Sequence, residues 1–187
     1  MAVNDNLVRV GVTGHVYAAP VGTALPTTIA ASLNAAFTEV GHITMDALTE
    51  QMSVTKELVR SWQRPVGIRQ VTTEISWTFQ FQALETSELV LELYYGGATS
   101  AVATGIVTTT VPSVMEATEK AWVIQVEDGG ITTRYVIPKG DITERGEVPI
   151  RGTEGTYYEM TVAVLGTSID ALGYRITDDP VFAALAS

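Results

Sequence analysis

The chain contains no cysteine, which excludes disulfides, thiolate catalysis and Cys-ligated zinc. Its only histidines are His15 and His42, and neither stands at a metal-ligand or nucleophile spacing, so both read as structural or solvated. Basic residues are scarce. Eleven Lys and Arg against 21 Asp and Glu give a net charge of −10. That balance opposes reading or wrapping DNA, where affinity comes from neutralising phosphates with Lys and Arg. No apolar run approaches the roughly 18 residues of a membrane helix. The start, MAVNDNLVRVGV, has Asp5 where a signal peptide needs a basic flank and shows no apolar stretch, predicting a soluble chain without a secretion signal.

The clearest pattern present is strict alternation over Val71 to Ala83. Ile75, Trp77, Phe79 and Phe81 are apolar, while Thr72, Glu74, Ser76, Thr78, Gln80 and Gln82 are polar. A period of two predicts a strand with one buried face and one polar wall. A short helix is predicted next, capped by Glu85, Thr86 or Ser87, with Leu89, Val90, Leu93 and Tyr94 at helical spacing and Gly96–Gly97 as its stop.

Around this unit the chain predicts a single domain with arms. Residues 6–28 are rich in Gly, Ala and Pro without amphipathic period and read as an extended N-terminal arm. Thr27 or Thr28 is expected to cap a helix through Ile29, Leu33 and Phe37, closed by Gly41. Residues 51–63 alternate weakly. With Arg64–Pro65 and Gly67 as a turn into a strand from Ile68, they predict a long hairpin or mobile loop, whose arm from Met52 to Trp62 reaches about 35 Å if extended. Four of the 11 basic residues, Lys56, Arg60, Arg64 and Arg69, lie here. Later strands are expected at Ile106–Val111, in a hairpin Trp122–Pro138 turning at Asp128–Gly129–Gly130, at Asp141–Ile150 and at Tyr157–Leu165. A tail follows from Gly166.

Catalytic equipment is missing. The carboxylate pairs Asp141/Glu144, Asp178/Asp179 and Glu85/Glu88 lack the Gly-centred loop of a calcium site and read as turns and helix-start charges. Gly11–Gly14 and Gly96–Gly97 lack the spacing and lysine of a phosphate loop. Trp62, Trp77, Trp122 and the pairs Tyr94–Tyr95 and Tyr157–Tyr158 allow either core packing or a sugar-binding face. The residues therefore predict no enzyme, cofactor or metal.

In order and spacing, about the first 97 residues resemble the major tail tube proteins of long-tailed phages, particularly those infecting actinobacteria. The likeness rests on GHVYAAPVGT (14–23) with Leu25-Pro26-Thr27-Thr28, on Ala35-Ala36-Phe37, and on Val40-Gly41-His42-Ile43. Trp62-Gln63, Ala83-Leu84-Glu85-Thr86 and Tyr95-Gly96 continue it. A departure is Asp46-Ala47-Leu48-Thr49, where a glycine is expected after the aspartate.

The resemblance implies a mainly β fold, a β-sandwich or half-barrel with one flanking helix and extended arms. It implies six copies to a ring, and rings stacked into a tube that conducts the genome, without the extra C-terminal immunoglobulin-like domain of some relatives. The expected partners are other copies, a tape-measure protein and a tail terminator, with DNA passing unbound, no membrane, and assembly in the host cytoplasm. On that reading Glu74, Glu127 and Glu159 are candidates to face an acidic lumen. Lys56, Arg60, Trp62, Arg64 and Arg69, within the 51–69 hairpin, are candidates for ring stacking. The arm and the tail 166–187 are expected to lie on neighbouring subunits. A monomeric β-sandwich module for glycans or a host surface is the alternative.

Overall fold

The alternating run from Ile75 to Ala83 forms the inner end of a 20-residue strand in a computed structural model, which describes residues 4–45, 48–62, 64–152, 155–167 and 171–186. The side chains of residues 64, 65, 185 and 186 lie outside the description, as do residues 46 and 47 of the departing Asp46–Thr49 stretch. The fold is mainly β. In chain order the strands are β1 (Thr13–Pro20), β2 (Thr38–Glu39), β3 (Thr49–Ser61), β4 (Arg64–Ala83), β5 (Thr99–Ala103), β6 (Ile106–Thr110), β7 (Lys120–Asp128), β8 (Ile131–Arg145), β9 (Tyr158–Val164) and β10 (Tyr174–Thr177), with helices α1 (Glu88–Tyr94) and α2 (Pro180–Ala186). The main sheet runs β2-β1-β7-β8-β9-β4-β3, with β10 on β8; β5 and β6 form a separate hairpin.

Trp77, Phe79, Phe81 and Ala83 are buried, as the alternation predicts, while Ile75 is 56% exposed because β9 pairs β4 only from Thr78 onward. The sheet curls, since the Phe81 ring meets Trp122 at 6.0 Å although β9 and β8 separate their strands. Facing them are Val16 and Ala18 from β1, Ile124 from β7, Met160 and Val162 from β9, and Val90 and Leu93 from α1. Ser87 caps α1 by accepting the Val90 N–H, and Gly96 and Gly97 leave the helix at positive φ. Gly129 and Gly130, both at positive φ, turn the β7–β8 hairpin as expected.

Five expectations are corrected. First, residues 13–20 form a strand pairing β7 along its full length, where a free arm was expected; its inward residues are small, so Ala and Gly mask the alternation. Second, no helix forms over 29–37. The Thr28 hydroxyl does accept the Ala31 N–H as a cap would, but the Asn34 side chain takes the Ala36 N–H, a local bond that competes with helix. The buried Arg134 also takes the Thr28 and Ala31 carbonyls at 3.1 Å each. Third, Asp141 does not open a new strand: β8 runs through to Arg145 and 146–150 lie outside any strand, because bulges absorb the offset and keep one ladder. Fourth, β4 already begins at Arg64, so 64–67, expected as a turn, are strand; Leu58 packs where a Cβ on Gly67 would sit. Fifth, the tail folds on its own chain: β10 pairs β8, and Asp178 accepts the Thr132 N–H.

Asp179 ties the two ends together, accepting Arg9 at 2.6 Å and the Val181 and Phe182 N–H groups at the start of α2. Burial raises the Asp179 pKa, but Arg9 and these N–H groups outweigh it and hold the carboxyl below its ordinary value. A depressed folded pKa stabilises above the unfolded value and is lost as pH falls through the folded one. Acidification below about 4, the ordinary aspartate range, is therefore expected to release α2 before the sheet melts. Residue-resolved hydrogen exchange checks this; uniform loss of protection would reject it.

Candidate functional site

Opposite the core, β3, β4, β9 and β8 present one polar face. Directly paired residues point the same way, so the register aligns Thr49 with Gln80, Gln51 with Thr78, Ser53 with Ser76 and Thr55 with Glu74. It continues through Gln80 to Thr161 and Glu144, and through Gln82 to Glu159. Among the paired residues just named, this face carries Glu74, Glu144 and Glu159 and no Lys or Arg. Gln80 and Gln82 donate to Glu159 at 2.5 and 3.0 Å, fixing its carboxylate flat against the sheet.

Beyond Thr78, β3 and β4 leave the rest of the sheet as a two-stranded ribbon. Met52, Val54, Leu58, Val59, Val66, Ile68 and Val71 are all exposed on it, and Trp62 near its tip is fully exposed. A bare hairpin is marginal in water, and apolar exposure on this scale marks an interaction surface. The cations support the same reading. Arg9, Lys120 and Lys139 are ion-paired; Arg134, Arg145 and Arg175 are hydrogen-bonded; and Arg151 also has a partner. Among the described residues, the cations whose side chains have no hydrogen bond or ion pair within the chain are Lys56, Arg60 and Arg69, all on this ribbon.

A family model described as phage tail tube protein matches residues 1–186. The chain belongs to the phage tail tube protein family. Among curated proteins, none matches it. The family is structural rather than enzymatic, its members are components of the virion tail, and membership implies self-assembly into a tube.

Within this family member, Glu74 and Glu159 share the polar face. Glu127 does not: it lies on β7, two strands beyond β9, with its carboxylate held by Gln125 at 2.8 Å. Glu144 belongs to the face but reads in the sequence only as half of a turn pair with Asp141. A bulge between Ile142 and Glu144 aims it, and no local pattern signals that. Lys56, Arg60, Trp62 and Arg69 cluster on the ribbon; the Arg64 side chain lies outside the described residues.

The remaining acidic pairs are absorbed by backbone. Asp141 accepts from Thr118 and Ile142, and Glu85 from the His42 N–H. Among the described residues no group of three or more His, Asp or Glu could hold a metal, and no helix is long and apolar enough to cross a membrane. The aromatics split up. Trp77, Trp122 and Tyr158 are buried, and Tyr94 packs edge-on against Tyr95 and Tyr158, which leaves Trp62 isolated. Glu50 accepts the Trp77 N–H at 2.9 Å; burial first, and Glu50 second, push the Tyr135 hydroxyl above its ordinary pKa.

Proposed function

We propose that six copies close into rings, that rings stack into the tail tube, and that the tube conducts the genome. The observation that carries this is the β3–β4 ribbon, whose apolar side chains stand exposed and whose Lys56, Arg60 and Arg69 have no hydrogen bond or ion pair among the described residues. Closing a ring also pairs sheet edges that would otherwise aggregate. The polar face with Glu74, Glu144 and Glu159 lines the lumen, where like charge keeps passing DNA from adhering. Glu127 stands outside that face. The ribbon makes the ring-to-ring contact. A tape-measure protein and a tail terminator are the further partners, and assembly occurs in the host cytoplasm.

Electron microscopy of the concentrated protein tests this. Hollow tubes or six-fold rings are expected, with carboxylates of β4 and β9 facing the bore in a resolved map. Raising salt from about 10 mM to 150 mM shortens the Debye length from about 30 to 8 Å. That screens repulsion between copies of charge −10 more than contacts at hydrogen-bond range, so assembly accelerates. A monomer at every concentration, binding glycans, would replace the tube by a binding module. A map with Glu74 and Glu159 turned from the bore would reject the lumen assignment alone.

A further inference from the structure

At the end of β4 opposite the ribbon tip, a groove of about 800 Å³ opens between the start of β1, the 39–45 segment and Glu85. Its apolar lining includes Val12, Ile43, Leu48 and Val126, and among the described residues its charged lining includes Glu39 and Glu85 but no Lys or Arg. His15 sits 2.6 Å from Glu39, and both carboxylates remain about half exposed. We infer that this groove is the seat for the ribbon tip of a second copy, with Trp62 entering the apolar floor and Arg60 and Arg69 meeting Glu39 and Glu85.

Three observations converge. The charge is complementary: residues 56–69 carry Lys56, Arg60, Arg64 and Arg69 against the single acid Glu57, whereas the charged groups lining the groove among the described residues are Glu39 and Glu85, beside His15 and His42. The size is sufficient, since an apolar cavity of about 150 Å³ already holds a benzene ring. The placement is directional. Tip and groove lie at opposite ends of a 20-residue strand, up to about 65 Å apart. A knob at one end and its socket at the other make a heterologous, head-to-tail contact, which propagates instead of closing on a pair. The inference rests on the tube reading and specifies which surface of the next copy receives the ribbon.

The three tryptophans make the test direct. Trp77 and Trp122 are buried, so in the unassembled protein Trp62 alone is open to acrylamide. On tube formation the quenchable fraction of the emission is expected to fall from about one third of the total to nearly none, since burial removes an aromatic ring from solvent. Benzoylphenylalanine in place of Trp62 keeps an aromatic knob, and its photocrosslinks in tubes are expected in residues 11–15 or 41–45 of another copy. If that variant does not assemble, Glu85→Lys takes its place: rings without tubes are expected, and co-assembly with Arg60→Glu, Arg69→Glu subunits is expected to restore elongation. Tubes in which Trp62 stays quenchable, crosslinks elsewhere, or normal elongation by Glu85→Lys would each overturn the groove while leaving the tube intact. Failure of the wild-type chain to form tubes would instead be failure of the tube reading.

Discussion

Replacing Trp122 by alanine is expected to cost about 3–5 kcal/mol, the range for removing a large buried aromatic. Trp122 is fully buried on β7, packs its ring against Phe81 across the curl of the sheet, and donates its indole N–H to the Gly140 carbonyl at 3.2 Å. The gap cannot collapse easily, because Gly140 sits at the β7–β8 bulge with Val162 and Trp122 where a Cβ would go. Against a total stability of about 5–15 kcal/mol, this brings the fold close to unfolding. Trp122→Phe retains most of the packing but removes the hydrogen bond to the Gly140 carbonyl, an expected loss of about 0.5–1.5 kcal/mol. Urea titration followed by circular dichroism measures both. A Trp122→Ala change under about 1 kcal/mol would show that the two halves of the sheet do not share this contact.

What was legible in the sequence follows from which interactions are local. The β4 alternation names its own buried face, Ser87 and Gly96–Gly97 bound α1, and Gly129–Gly130 announces the hairpin turn, because cap, turn and pleat all act within a few residues. β1 was hidden because its inward positions are filled by alanine and glycine as well as Val16, which transfer free energy barely distinguishes from solvent-facing residues. The absent 29–37 helix is decided by Arg134, more than a hundred residues away in sequence, which captures two carbonyls the helix would need. The polar wall was readable on β4 alone; that Glu144 and Glu159 extend it depends on register and on a bulge set across strands. The groove was not readable at all, since β1, the 39–45 segment, Leu48, Glu85 and Val126 meet only in the fold.

The ribbon supplies a variant in which assembly and folding separate. Reversing Lys56 and Arg60 together to glutamate is expected to abolish tube elongation while leaving the subunit as stable as before. Both side chains are exposed and have no partner within the described chain, so the fold should change by no more than about 0.5 kcal/mol. Between copies the effect is large. Two attractive contacts become repulsive at every junction, on a subunit whose net charge of −10 already opposes association, and each added subunit meets the same obstacle. The thermal midpoint should match wild type, rings should persist, and tubes should be absent by electron microscopy. Added salt should recover them only in part, because screening removes the repulsion without restoring the lost ion pairs. Tubes of normal length from this variant would mean that the free cations of the ribbon do not face the next ring, and that its apolar residues alone make the junction.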